Sequence, residues 1–437
     1  MTMTSEEIIR LSASEMARRI AAGDLTSEAV TRACLDRIEA RDGALKAWVH
    51  LDPDDALAQA RTRDKEARDG ETPRGPLHGV PVGIKDIIDT AGLPTEKGSP
   101  IWRDHQPVAD AVCVSQLRRA GAVILGKTAT TEFAALAPAA TANPHNPEHT
   151  PGGSSSGSAA GVADFHVPLA LGTQTMGSII RPAAFCGVVG YKPSFGTVPR
   201  SGVFELCDHL DTIGLLARTP NDLPVALAAL TGTPTATFEA PNDAPPRIAV
   251  IKSPAWDEAD PPTKALLHAA AKTLKDAGAT VTEIEAPDVL HQAMDAHWAV
   301  AVYEISRALS WEWDTHRDEI SPKMRGLIEE GLTVPRERYL RALETAQMAR
   351  DWSREAFGAI DVLLTPSAPG EAPHGLQSTG SPAFNRLWTL LHLPCATLPA
   401  GTGPEGLPLG VQLVGAQRQD AELIASACWV AARLEQA

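Results

Sequence analysis

The chain has 437 residues, 43% of them hydrophobic and 21% charged, which is the composition of an ordinary globular protein. That length suits two or three domains or one large α/β enzyme. The net charge of −15 argues against nucleic acid or an anionic membrane surface as a partner, since both would repel it.

Residues 1–10 are polar and acidic, without the basic stretch and apolar core of a signal peptide. No apolar run reaches the roughly 18 residues that span a bilayer. Residues 5–40 read as two amphipathic helices, with start signals at Leu11-Ser12-Ala13-Ser14-Glu15 and Leu25-Thr26-Ser27-Glu28. The charged, Ala-rich residues 52–69 predict a third helix, and residues 70–76 break the chain. Residues 80–85 read as a short buried strand that ends at Lys85. Helical spacing over 112–120 precedes a buried-strand run at 122–125. Residues 158–163 predict helix, and 167–171 predict strand. Strands at 248–251 and 279–284 bracket another helix. Residues 290–358, rich in Ala, Glu, Arg and Trp, read as mostly helical, and 361–366 return to a strand. The Pro/Asp-rich stretches 238–246 and 366–374 read as loops rather than domain linkers, and no internal repeat is visible. This alternation predicts an α/β protein, a sheet covered by helices. Six scattered cysteines, none in a Cys-x-x-Cys pair, predict reduced thiols in a cytoplasmic protein.

Four short patterns suggest other chemistry and fail on context. Gly121 to Thr128 fits a phosphate loop, but its four middle residues are the apolar strand itself. His145-Asn146-Pro147-Glu148-His149 fits a zinc-protease helix, which Pro147 opposes. Gly401 to Gly406 fits a dinucleotide fingerprint but precedes a strand and contains Pro404. Gly153-Ser154-Ser155-Ser156-Gly157 fits a nucleophile elbow, yet residues 143–151 before it are loop-like rather than strand. A Ser-His-Asp hydrolase is the rival reading of that segment.

A serine hydroxyl is a poor nucleophile until a base takes its proton. A lysine serves as that base when burial lowers its pKa. Lys85 closes Val80-Pro81-Val82-Gly83-Ile84-Lys85, where burial is one reading and a strand-end ammonium in water is the other. Ser154 sits in Pro151-Gly152-Gly153-Ser154-Ser155-Ser156-Gly157-Ser158, linker-like by composition but short and flanked by apolar elements. Ser178 closes Gly172-Thr173-Gln174-Thr175-Met176-Gly177-Ser178, a turn whose successive backbone N–H groups also suit an oxyanion.

The three occur in order within longer strings. Residues 75–98, 117–133, 150–197 and the block from Phe384-Asn385-Arg386-Leu387-Trp388-Thr389 through Pro394 and Pro399 resemble the amidase signature family. The resemblance implies one α/β domain over 1–437, a mixed β-sheet sandwiched between α-helices. Within it, 1–70 are N-terminal helices, 75–200 the catalytic core and 290–358 a mostly helical segment. It also implies a triad of Lys85, Ser154 and Ser178, with Ser178 as nucleophile and a cis Gly153–Ser154 peptide. The amides of Thr175, Met176, Gly177 and Ser178 would form the oxyanion hole, supported by the hydroxyls of Ser155 and Thr173. No metal or organic cofactor is implied. Gln174 and Met176 stand where many members have Asp and Gly. Arg181 in Ser178-Ile179-Ile180-Arg181-Pro182 resembles the arginine with which bacterial malonamidases hold a substrate carboxylate, and a structural Arg is the other reading. The leading expectation is therefore an amidohydrolase acting on a small carboxylate-bearing amide such as malonamate. The same triad also suits neutral or aryl amides, esters or carbamates. Two readings from different classes stand beside it, the glutaminase subunit of an amidotransferase complex and a catalytically dead binding protein. The N-terminal helices leave a homodimer open, and neither nucleic acid nor a membrane is expected as partner.

Overall fold

The computed structural model of the protein describes residues 3–69, 75–240 and 244–436. Its strands are β1 (Trp48–Leu51), β2 (Pro81–Lys85), β3 (Val123–Thr128), β4 (Leu169–Gln174), β5 (Val189–Lys192) and β6 (Thr212–Ala217). They continue with β7 (Arg247–Lys252), β8 (Thr280–Glu285), β9 (Val362–Pro366), β10 (Cys395–Thr402) and β11 (Pro408–Gly415). All join one sheet in the order β1-β3-β2-β4-β6-β5-β10-β11-β9-β7-β8. Pairing is parallel for β3-β2-β4 and for β9-β7-β8, and antiparallel elsewhere.

The helices in chain order are α1 (Ser5–Ile9), α2 (Ala13–Ala22), α3 (Ser27–Leu45), α4 (Pro53–Arg68), α5 (Val112–Arg119), α6 (Ser156–Ala163), α7 (Ile180–Cys186) and α8 (Leu223–Thr231). They continue with α9 (Pro261–Asp276), α10 (Asp288–Ala308), α11 (Ser310–Thr315), α12 (Pro322–Thr333), α13 (Arg336–Ala356), α14 (Ala383–Leu390) and α15 (Asp420–Leu434).

The two-residue period of a strand sorts its side chains onto two faces. In β7, Ile248 and Val250 join one apolar cluster with Leu267 of α9 and Ile424 of α15. Ala249 and Ile251 join the other, with Val300 of α10, Ile328 of α12 and Leu387 of α14. Helices thus cover both faces of a mixed sheet, the single α/β domain expected.

Some expectations need adjusting. Residues 5–40 hold three helices, not two, because Thr4 caps a short α1 through a capping box with Glu7. Both start signals form real caps: Ser12 accepts from the Glu15 N–H and Thr26 from the Ala29 N–H. The break at 70–76 and the loop at 238–246 lie partly outside the described residues. Strand β3 runs through Gly126-Lys127-Thr128, so the phosphate-loop pattern is buried sheet. The His145–His149 segment is loop, and among the described residues no group of three potential metal ligands gathers.

Candidate active site

Strand β2 lies between β3 and β4, with Val82 beside Leu169 and Ile84 beside Leu171. Lys85 and Thr173 therefore emerge together where parallel strands end, the usual place for a site in an α/β sheet. Lys85 is fully buried, and its Nζ lies 2.7 Å from Ser154 Oγ and 2.7 Å from Thr173 Oγ1. Among the described residues no carboxylate comes within 4 Å of it. Burial lowers the ammonium from the usual 10.5 to about 7, while the charge of Asp211 pulls the other way.

Two other buried lysines differ in kind. Lys127 pairs with Asp86 at 3.1 Å and donates to Thr95 Oγ1 at 2.6 Å. Lys192 donates to the carbonyls of Leu393 and Pro193 at 2.5 and 3.0 Å. Lys85 alone of these three faces only hydroxyls.

The Gly153–Ser154 peptide is cis, as the resemblance implied. Its loop is pinned from several sides. Thr131 N–H donates to the Ser154 carbonyl at 3.3 Å, and Ser156 Oγ to the Gly152 carbonyl at 2.7 Å. Ser155 Oγ sits 3.3 Å from both the N–H and the carbonyl of Thr173, and Ser155 N–H donates to the Ser178 carbonyl at 3.3 Å. The two serine loops and the lysine strand are thus one hydrogen-bonded unit.

The 174–178 segment is held equally firmly. Gln174 Oε1 accepts from the N–H groups of Ile179 and Ile180, and its Nε2 donates to Thr389 Oγ1 at 3.0 Å. Gln174 is therefore a strut beneath the 175–180 segment. Thr175 Oγ1 donates to Asp211 Oδ1 at 2.5 Å, and His297 Nε2 lies 3.1 Å from the Thr175 carbonyl. Burial lowers His297 to about 3, so it stays neutral and donates from Nε2. Burial raises the Asp211 carboxyl to about 6 against its hydrogen bonds from Cys207, Thr175 and Leu206, which leaves it ionised at pH 7. Gly177 must be glycine for space: a Cβ there would meet Asn385 Oδ1 at 2.5 Å. Met176 packs into the apolar cluster with Phe133 and Leu206.

Arg181 is buried and committed to the protein. Its Nη1 donates to the Gly380 carbonyl at 2.7 Å, and its Nη2 to the Gly153 carbonyl at 2.7 Å and to Thr379 Oγ1 at 3.1 Å. Only Nε lacks a partner. Both terminal nitrogens a carboxylate clamp would use are engaged instead, Nη2 by the serine loop and Thr379, Nη1 by Gly380.

Asp211, His297, Asn385 and Thr389 were not singled out from the sequence. Each lies far along the chain from the segment it supports. The only available signal was the block beginning at Phe384, which holds Asn385 and Thr389.

The amidase family model matches residues 29–424. A glutamyl-tRNA(Gln) amidotransferase A-type subunit from Chloroflexus aurantiacus is 34% identical over 467 residues, covering 96% of this chain and 95% of its own. The protein of that name from Acidothermus cellulolyticus is 41% identical over 326 residues, 70% of this chain and 64% of its own. Native peptide amidase from Stenotrophomonas maltophilia superposes with a TM-score of 0.81 at 31% identity, over 98% of this chain and 97% of that one. Another solved amidase gives 0.89 at 30% identity, over 97% of this chain and all of its own. The chain belongs to the amidase signature family and is an amide-cleaving hydrolase of that fold.

Proposed function

We propose that this enzyme works through Lys85, Ser154 and Ser178, with no metal and no organic cofactor. Neutral Lys85 takes a proton from Ser154 as Ser154 takes one from Ser178. Ser178 Oγ attacks the amide carbonyl, and the N–H groups of residues 175–178 hold the developing oxyanion. The proton returns through Ser154 to the leaving nitrogen, so the C–N bond breaks as amine or ammonia departs. Water then cleaves the acyl-enzyme by the same relay. What carries this reading is a fully buried lysine, lowered to about 7, within 2.7 Å of Ser154 Oγ.

For the substrate, the relatives named as glutamyl-tRNA(Gln) amidotransferase subunits favour a glutaminase role inside a complex, with ammonia passed to a partner. Free hydrolysis of malonamate depends on a carboxylate clamp, and the engagement of Arg181 with Gly153, Thr379 and Gly380 weighs against Arg181 supplying it. Neutral or aryl amides, esters and carbamates suit the same relay. The test is product release by the isolated chain from glutamine, malonamate and a neutral aryl amide, with Ser178→Ala as control. Full turnover of malonamate or the aryl amide without a partner would sink the amidotransferase reading. Weak turnover confined to glutamine would support it. Ser178→Ala retaining activity would overturn the relay itself.

A further inference from the structure

An oxyanion hole needs N–H groups that are both free and aimed. Among the described residues, the N–H groups of Met176, Gly177 and Ser178 donate to no protein acceptor, although all three residues are buried. The carbonyl on the other side of each of those peptides is taken. His297 Nε2 lies 3.1 Å from the Thr175 carbonyl, Thr389 Oγ1 lies 3.3 Å from the Met176 carbonyl, and Arg181 N–H donates to the Gly177 carbonyl at 3.0 Å. These peptides are trans, and a planar trans unit points its N–H opposite to its C=O. Holding a carbonyl therefore aims the N–H of the next residue. A bonded carbonyl also polarises its peptide, which strengthens that N–H as a donor.

The three ties differ in kind. The Arg181 N–H comes with the first turn of α7, whatever the side chain. Thr389 shares its one proton between the Met176 carbonyl and the Asn385 carbonyl, 3.2 Å away on its own helix. His297 gives a side-chain N–H to one carbonyl alone, and reaches it from α10, 122 residues along the chain. Stability does not account for a histidine there. His297 is fully buried, and with Nε2 donating, Nδ1 is an acceptor without a partner among the described residues. A buried nitrogen left unpaired costs stability. Around it on α10, Ala296, Ala299, Val300 and Ala301 are buried and apolar, so packing by itself would favour an apolar side chain. What histidine adds is the hydrogen bond to Thr175.

We propose that His297 is a positioning residue for catalysis: by holding the Thr175 carbonyl it aims and strengthens the Met176 N–H as an oxyanion donor. This rests on the oxyanion reading above and names the side chain that prepares the hole. The test compares wild type, His297→Gln and His297→Leu on whichever of glutamine, malonamate and the neutral aryl amide p-nitroacetanilide the wild type turns over. Gln offers an N–H at about the reach of Nε2, and Leu fills the space without one. The oxyanion forms only in the transition state, so His297→Leu should lower kcat about tenfold to a hundredfold and leave KM within about twofold. His297→Gln should recover most of that loss. His297→Phe replaces His297→Leu if the latter does not fold. Isotopic amide labelling of methionine, read by heteronuclear NMR, follows the Met176 N–H directly, its signal identified by loss in Met176→Leu. That signal should move upfield in His297→Leu and stay near its wild-type place in His297→Gln. An unmoved Met176 signal in His297→Leu overturns the proposal, as does an unchanged kcat or a loss expressed in KM alone. The NMR comparison needs no turnover and decides by itself in a chain that cleaves none of the three amides. Ser178→Ala with full activity would remove the relay, while a Met176 signal that still moves in His297→Leu would leave the aiming of that N–H standing.

Discussion

At pH 7 an ordinary lysine keeps its proton and so does an ordinary serine, so a lysine–serine relay needs one of the two perturbed. Packing does this to Lys85, which has hydroxyls for neighbours and no ion pair. In the proposed relay the base is the neutral amine, so kcat/KM should rise with pH through about 7 and fall away below it. A flat profile from pH 5 to 9 would remove Lys85 as the base. The Asp211 charge raises Lys85, so Asp211→Asn should move that acid limb to lower pH; a shift upward would contradict the assignment. Stability follows the same sign. The unfolded chain holds the Lys85 proton up to the usual 10.5 and the folded chain releases it near 7, so this group's contribution improves as pH rises between the two. Lys85→Met should therefore cut kcat at least about a thousandfold while raising the melting temperature at pH 7. Arg181→Ala should lower turnover of anionic and neutral amides alike and reduce the melting temperature, because it unties the Gly153 and Gly380 carbonyls together. Loss confined to malonamate would restore the clamp.

At the scale of elements, α6 carries the serine loop and is set by its close approach to the N-terminal region. Gly157, near its start, faces the carbonyl of Ala47 and the amide of Ala129, where a Cβ would come to 2.1 and 2.4 Å. Its own N–H donates to the Ala129 carbonyl at 2.9 Å. Backbone cannot yield as a flexible side chain can, so Gly157→Ala should cost about 1–3 kcal/mol or more and displace Ser154. Chemical denaturation alongside turnover checks this; a variant as stable and as active as wild type would show that α6 shifts freely. Ser158 adds a second tie, lying 2.7 Å from Thr128 Oγ1 and donating to the Leu171 carbonyl at 2.8 Å. Elements with strong local signals were legible in the sequence: the caps at Ser12 and Thr26, the helix α4, the strands around Lys85. Short α1 was not, since five residues give little periodicity. Strand β4 extends to Gln174, past the 171 expected, because its polar end is paired to β6 rather than marked by apolar residues.

At the scale of the molecule, one sheet carries both halves of the chain. Strands β7, β9 and β11 each place residues in both large apolar clusters, so neither cluster can open without exposing the other. Unfolding followed by far-UV circular dichroism and by tryptophan fluorescence should therefore give coincident transitions; two separated midpoints would mean independent units. By itself the sequence determined the fold class, the three triad candidates and the failure of the phosphate-loop and zinc patterns. The fold class and the two failed patterns depend on residues close together in the chain, where composition and spacing act directly on backbone conformation, whereas the triad candidates came from the resemblance of longer strings to the family. Only the tertiary structure decided which buried lysine faces hydroxyls alone, that Arg181 ties the serine loop to Thr379 and Gly380, and that Asp211, His297, Asn385 and Thr389 cage the 174–178 segment. Burial, which sets the Lys85 pKa, and contacts such as Arg181 with Gly380 arise when the sheet brings distant segments together, and no local pattern encodes that meeting.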